Sequence, residues 1–257
     1  MSELARATAF EDALHEAAAE RVVRSPLGIA YFTDSLSRVW SANTFRVERK
    51  GVSLDEVVEE AERLQGDAGL DHRRVEIADE ETGRALEAGF AGLGWKTDVF
   101  LYMLARREPE RIVDTSQVEE VASERLRPIR EVIHREWLPN LDAETLAQLA
   151  AAERRIASAA NARHFAVVHE GSLVSAADLF SDGRTAQIED VVTLPEHRGN
   201  GFASAVVMRA LEEARAVGHD LVFLIADARD WPKELYRRLG FDGVGERYAY
   251  LLSSRRP

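Results

Sequence analysis

The residues whose types and spacing carry most chemistry are His197-Arg198-Gly199-Asn200-Gly201-Phe202-Ala203-Ser204. A strand is expected over 187–193, entering this stretch, and a helix over 203–217, leaving it. Arg198-x-x-Gly201-x-Ala203 therefore falls at a strand-to-helix junction. The first turn of a helix leaves backbone N–H groups unpaired, at the positive end of the helix dipole. A phosphate or pyrophosphate suits such a place. Glycines let the backbone approach the anion, since a Cβ would stand between them. A tight turn with no ligand would also account for Gly199 and Gly201. Two common phosphate loops do not fit. A dinucleotide fold wants Gly-x-Gly-x-x-Gly, whose last position here is Ser204, and further βα units for which too little chain remains. A Walker A loop would end in Gly-Lys-Ser/Thr, which is absent.

Arg198-Gly199-Asn200-Gly201-Phe202-Ala203 resembles the acyl-CoA pyrophosphate loop of the GNAT superfamily of N-acetyltransferases, written Gln/Arg-x-x-Gly-x-Gly/Ala. Val191-Val192-Thr193-Leu194-Pro195-Glu196-His197 is similar to the strand end and lead-in that precede it in that family. Leu235-Tyr236-Arg237-Arg238-Leu239-Gly240-Phe241 resembles the Leu-Tyr-x-x-x-Gly-Phe element that follows. The resemblance covers residues 112–252. It implies an α/β (α+β) fold with a GNAT-like mixed central sheet flanked by helices. It also implies acetyl-CoA as co-substrate and direct attack by a primary amine within a ternary complex.

Carried onto matching positions, the resemblance makes Tyr236 the general acid at the CoA sulfur. Val191, Val192 and Thr193 would meet the pantetheine arm through their backbone. Arg198, Gly199, Asn200, Gly201, Phe202, Ala203 and Ser204 would hold the pyrophosphate, with Arg198 either pairing with a phosphate or bracing the loop. Family members often place a glutamate on the strand before the loop, and Glu189 is the candidate base. Two-residue alternation puts Glu189 on one face with Gln187, Val191 and Thr193, and the rival Asp190 on the other. A base titrating near neutrality needs partial burial. Where many members carry an asparagine after the long buried strand, Asp227-Ala228-Arg229-Asp230-Trp231-Pro232 stands instead. A non-catalytic acyl-CoA-binding protein, or a transferase of another acyl group, would use the same motifs.

Composition narrows the class further. The 257-residue chain is 46% hydrophobic and 30% charged, ordinary for a globular protein and long enough for one large or two smaller domains. Having no cysteine, it can form no disulfide, thiolate nucleophile or Cys-ligated zinc. The histidines show no metal-ligand spacing, so no metal is expected. No apolar run approaches membrane-spanning length, and residues 1–20 lack a signal-peptide core, which makes the cytoplasm the expected location. A net charge of −12 disfavours nucleic acid and anionic membranes as partners. The expected acceptor is a small-molecule or peptide amine, and the expected state a monomer or homodimer.

The elements that must position these residues follow from periodicity and caps. In the first half, a helix is expected over 1–20 and strands over 27–32 and 43–48. Ser53 and Glu56 form a capping box for a helix over 54–65. A strand over 73–77, a helix over 80–93 closed by Gly94, and a strand over 97–104 complete it. Residues 106–111, charged and containing Pro109, read as a linker between domains 1–106 and 112–257. The second half predicts a strand over 117–121 and a helix over 124–137 with Pro128 in its first turn. A helix capped by Asp142 follows, then strands over 164–169, 173–180 and 185–193. After the loop, the helix shows Val206, Val207, Ala210, Leu211 and Ala214 on one face. Residues 221–226 are apolar throughout, as for a strand buried on both faces. A helix over 233–239 and a strand over 247–252 close the chain.

An internal echo is visible. Helix, Leu93-Gly94-Trp95, strand parallels helix, Leu239-Gly240-Phe241, strand. The first half thus reads either as a degenerate GNAT-like copy, in a tandem arrangement known in the family, or as a chance similarity. Its loop, Arg49-Lys50-Gly51-Val52-Ser53, lacks the Arg-x-x-Gly-x-Ala pattern. Trp40, Trp95, Trp137 and Trp231 read as packing residues, with Trp137 also a candidate for the acceptor pocket.

Overall fold

A computed structural model of the protein describes residues 1–253. In the first half, α1 (Glu3–Ala18) is followed by β1 (Arg21–Arg24), β2 (Gly28–Phe32) and β3 (Thr44–Val47). Then come α2 (Leu54–Ala61), β4 (His72–Ile77), α3 (Glu80–Gly92) and β5 (Lys96–Ala105). The second half runs β6 (Val118–Val121), α4 (Arg127–Trp137), α5 (Ala143–Ala159), β7 (Arg163–His169), β8 (Ser172–Ser181) and β9 (Thr185–Thr193). It ends with α6 (Phe202–Ala216), β10 (Leu221–Asp227), α7 (Pro232–Arg238) and β11 (Phe241–Ser253). The caps act as their sequences require. Ser53 and Glu56 make a reciprocal capping box at α2, Asp142 accepts from the Thr145 N–H at α5, and Pro128 sits in the first turn of α4. The short edge strand β1 was not expected from the sequence; Arg21, Val22 and Arg24 are exposed and show no alternation.

All strands form one mixed sheet in the order β1-β2-β3-β4-β11-β5-β10-β9-β8-β7-β6. Its two ends repeat one plan about the central antiparallel pair β5·β11. On one side, β3 and β4 pair in parallel and β11 pairs antiparallel with β4. On the other, β9 and β10 pair in parallel and β5 pairs antiparallel with β10. Each half therefore lends its last strand to the other half.

The connector at 106–111 is not a free tether. The Arg106 and Arg107 N–H groups both donate to the Gly240 carbonyl, at 3.1 and 3.0 Å, and the Glu110 N–H donates to the Arg238 carbonyl at 2.8 Å. Gly240 permits this approach, because at φ 96° an added Cβ would lie 2.2 Å from the Arg107 oxygen.

Helices cover both faces. The expected face of α6 packs Val206, Val207, Ala210, Leu211 and Ala214 on Ile188, Val222 and Leu224. Strand β10 is buried on both sides, since Leu221 and Phe223 join Ala7, Phe10 and Leu14 of α1 on the opposite face. Ile129 and Ile133 of α4 pack on Ala176 and Val192.

Candidate functional site

Strands β9 and β10 pair from Thr185↔Leu221 to Ile188↔Leu224 and then separate. Beyond that point β9 continues beside β8, and β10 beside β5. A cleft of about 970 Å³ opens at this splay, within the size range of cofactor pockets. Val191, Val192 and Thr193 form one wall; Trp231, Leu235 and Tyr236 form the other; residues Arg198 to Ser204 form the mouth.

The mouth presents open helix-start amides and free space. Gly199 and Gly201 both have φ 81°, and a Cβ on either would meet nothing within 4 Å. Gly201 is the N-cap of α6. The first bond of the helix is from the Ala205 N–H to the Gly201 carbonyl. The N–H groups of Gly201, Phe202, Ala203 and Ser204 precede it and have no backbone partner among the described residues. These groups, the open space and the helix dipole fit a pyrophosphate.

Arg198 takes the bracing option. Its guanidinium forms a two-pronged pair with Glu136 of α4, at 2.8 and 2.6 Å, and Nε donates to the Thr193 carbonyl at 3.2 Å. Asn200 likewise turns inward, donating to the His197 carbonyl at 3.0 Å. The positive-φ turn is thus held in shape before any ligand arrives.

Two-residue alternation fails on β9, and the structure corrects the expected faces. The register with β8 shifts between Ala176↔Val192 and Asp178↔Glu189, and Asp190 adopts φ 50°. This is a β-bulge, which re-aims the residues on either side of it. Val191 consequently packs with Ile188 against the α6 side, not with Glu189. Asp190 turns toward α4, where its carboxylate lies 3.8 Å from Arg130. Arg130 also pairs with Asp178, which accepts from His164 Nδ1 at 2.8 Å.

Glu189 sits behind the cleft wall at the point of the splay. It accepts from Gln187 Nε2 at 2.6 Å. Burial, reinforced by the charges of Asp190 and Glu11, pushes its pKa up to about 8. Asp190, whose side chain is 44% exposed, is raised as well, by partial desolvation and then the Asp178 charge, against the pull of Arg130. Tyr236 is buried, its ring edge-on to Phe241 at 6.4 Å. Burial first, and the Glu189 charge second, hold its phenol well above the ordinary value. The structure therefore brings Tyr236 and the bulged carboxylates to the two sides of one splay.

Sequence reasoning offered Trp137 for the acceptor pocket and read Trp231 only as a packing residue. Trp137 and Trp231 are each 62% exposed and both line the cleft, whereas Trp95 is buried in the first half. Isolated tryptophans in polar stretches carry no periodicity that could have announced this. No group of His, Cys, Asp and Glu suited to a metal ion occurs among the described residues. No helix there is long and apolar enough to cross a membrane.

The corresponding region of the first half lacks each of these features. The Leu93 and Gly94 N–H groups bond to Phe90 and Ala91 as those of Leu239 and Gly240 bond to Tyr236 and Arg237. Phe90 thus stands where Tyr236 stands, without a hydroxyl. After β3, the Glu56 carboxylate accepts from the Ser53 N–H at 2.9 Å and Oγ at 2.8 Å and pairs with Arg49. These contacts lower its pKa to about 2. A side-chain anion already occupies that helix start. Strands β3 and β4 do not splay; the Ala78 N–H continues the ladder to the Val47 carbonyl at 3.0 Å.

Residues 126–241 match the model of the acetyltransferase (GNAT) family. No curated protein matches the sequence. In structure, the chain is similar to a functionally unknown conserved protein from Staphylococcus epidermidis, with TM-score 0.70, 18% identity, and 94% of this chain and 96% of that chain covered. It is also similar to a GCN5-related N-acetyltransferase from Kribbella flavida, with TM-score 0.63, 19% identity and coverage of 96% and 93%. A tandem GNAT protein from the clavulanic acid biosynthesis pathway aligns with TM-score 0.55, 16% identity and coverage of 83% and 76%. At such identities these likenesses establish the fold. Residues 126–241 are therefore a GNAT acetyltransferase domain, set in a chain whose fold is shared with GNAT proteins, a tandem one among them.

Proposed function

We propose that the protein is an N-acetyltransferase that moves acetyl from acetyl-CoA to a primary amine by direct attack. The observation that carries this reading is the splay itself. One cleft joins a pyrophosphate-ready helix start, an unpaired strand edge and a buried tyrosine, and two upshifted carboxylates lie on β9 next to its wall.

Acetyl-CoA supplies an activated thioester. The Gly201–Ser204 amides would hold its pyrophosphate, and the free edge of β9 over Val191–Thr193 would pair with its pantetheine amides. Glu189 removes a proton from the incoming ammonium, leaving a neutral amine able to attack; a carboxylate titrating near 8 is a stronger base than an ordinary one. Tyr236 acts as a hydrogen-bond donor to the departing sulfur. A thiol titrates near 8.5, well below this phenol, so the phenolic proton stabilises the thiolate without leaving the oxygen. Positioning both substrates in line supplies the rest of the rate.

The test is release of free CoA from acetyl-CoA across a panel of amines, with acetyl-CoA affinity measured by calorimetry. Turnover of at least one amine is expected. Gly201→Glu, which puts a charged side chain into the open space at the helix start, should weaken acetyl-CoA by about tenfold or more, since ~1.4 kcal/mol is tenfold. Unchanged affinity in a folded variant removes the loop from the site. Tight binding without turnover of any amine would replace the enzyme with an acyl-CoA sensor.

A further inference from the structure

Most arginines among the described residues are paired with carboxylates, as the acidic balance allows. Among the described residues the exceptions are Arg24, Arg111, Arg127, Arg154 and Arg238. Arg111 and Arg238 both line the cleft that holds the phosphate loop. They are also neighbours. Arg111 follows Glu110, whose N–H donates to the Arg238 carbonyl at 2.8 Å. Arg107 reinforces the seam, its Nη2 donating to the Arg237 carbonyl at 2.9 Å and its Nε pairing with Asp242 at 2.8 Å.

Both arginines are exposed on that wall, and neither has a carboxylate partner among the described residues. Carboxylates are close at hand in the sequence: Glu110, Asp114 and Asp230 line the same cleft, yet none lies within ion-pair distance of either arginine. The neighbouring arginines show how readily this surface pairs them, Arg237 with Glu234 and Arg198 with Glu136. An external anion would give both a partner. The loop amides can take the pyrophosphate, and Arg198 is already neutralised, so a second anionic group of the same ligand has no other free cation on the cleft wall among the arginines described.

We propose that Arg111 and Arg238 clamp the 3′-phosphate of coenzyme A, which makes the connector between the two halves part of the cofactor site. The proposal rests on reading the cleft as a CoA site. A phosphate monoester carries close to two negative charges at pH 7. Guanidinium forks match its oxygens by paired, charge-assisted hydrogen bonds. The clamp would also explain why the connector is stitched to the end of α7, since only that seam holds Arg111 beside Arg238.

The experiment compares CoA with 3′-dephospho-CoA by calorimetry on the full chain. Wild type should prefer CoA by about tenfold or more, the worth of one or two charged hydrogen bonds. Arg111→Ala with Arg238→Ala should bring CoA down to the affinity of 3′-dephospho-CoA while leaving the latter nearly unchanged. Arg24→Ala, an unpaired arginine outside the cleft, should keep the preference. Equal binding of the two ligands by wild type overturns the clamp while leaving the CoA site standing. A preference that survives in the double variant assigns the 3′-phosphate to other residues and overturns it too. Binding of neither ligand overturns the clamp together with the reading of the cleft.

Discussion

At the scale of the residue, the informative group is Glu189. Its identity and its place before the loop were legible in the sequence, but its face was not. A bulge depends on a backbone conformation, φ 50° at Asp190, that no spacing of side chains announces. The same bulge turns Asp190 toward Arg130 and leaves Glu189 at the splay. A raised carboxylate has a sign that can be measured. An unfolded glutamate titrates near 4.3 and the folded one near 8. Between those values the folded chain holds a proton that the unfolded chain has lost, so stability falls as pH rises through the window. Glu189→Gln has no such proton. Its Tm should match or fall below that of wild type near pH 4 and gain on it steadily toward pH 8, while its turnover drops by roughly 10²–10⁴ if the carboxylate is the base. A Tm difference independent of pH would mean that the carboxylate is not desolvated.

At the scale of the element, the two halves solve one problem in opposite ways. Both place a helix start after a parallel strand. In the second half the N-cap is glycine and the amides stay open. In the first half Ser53 and Glu56 close them, and Glu56 is held near pKa 2 by the groups that would otherwise meet a ligand. The capping box was readable from Ser53 and Glu56, and the missing loop from Arg49 to Ser53. The unsplayed β3·β4 pair was not, because pairing beyond a strand end leaves no mark on hydrophobic pattern. Titration with acetyl-CoA should therefore saturate at one ligand per chain. Ser53→Ala with Glu56→Ala should not create a second site, since the strands there remain paired and Phe90 offers no hydroxyl. Two equivalent sites in wild type would refute the account of a closed copy.

At the scale of the whole molecule, the echo between Leu93-Gly94-Trp95 and Leu239-Gly240-Phe241 reported the repeat but not the exchange of strands. Register between distant strands is fixed by tertiary packing, which local pattern does not contain. The exchange has a cost for any division at 106–112. Without β5, the second half loses the antiparallel partner of β10 and one side of β11. Met103 would leave the core beneath α6, and Tyr102 and Leu104 would leave the core beneath α1. Each such side chain is worth about 1.5–3 kcal/mol on burial, so the three together approach the 5–15 kcal/mol that stabilises a typical domain. The exposed flank of β10 would also become an open edge, prone to pairing with other chains. Charge ties cross the same seam: Arg247 of β11 meets Asp12 of α1 at 2.7 Å and Glu11 at 3.3 Å, both groups being largely buried. Breaking such a pair leaves a buried charge without its partner. Residues 112–257 expressed by themselves should accordingly melt without a cooperative transition, or aggregate, and bind no acetyl-CoA. Co-expression with residues 1–106 should restore a single transition and one binding site. A monomeric 112–257 fragment with a sharp melt and full acetyl-CoA affinity would show that the exchanged strand contributes little to the site beside it.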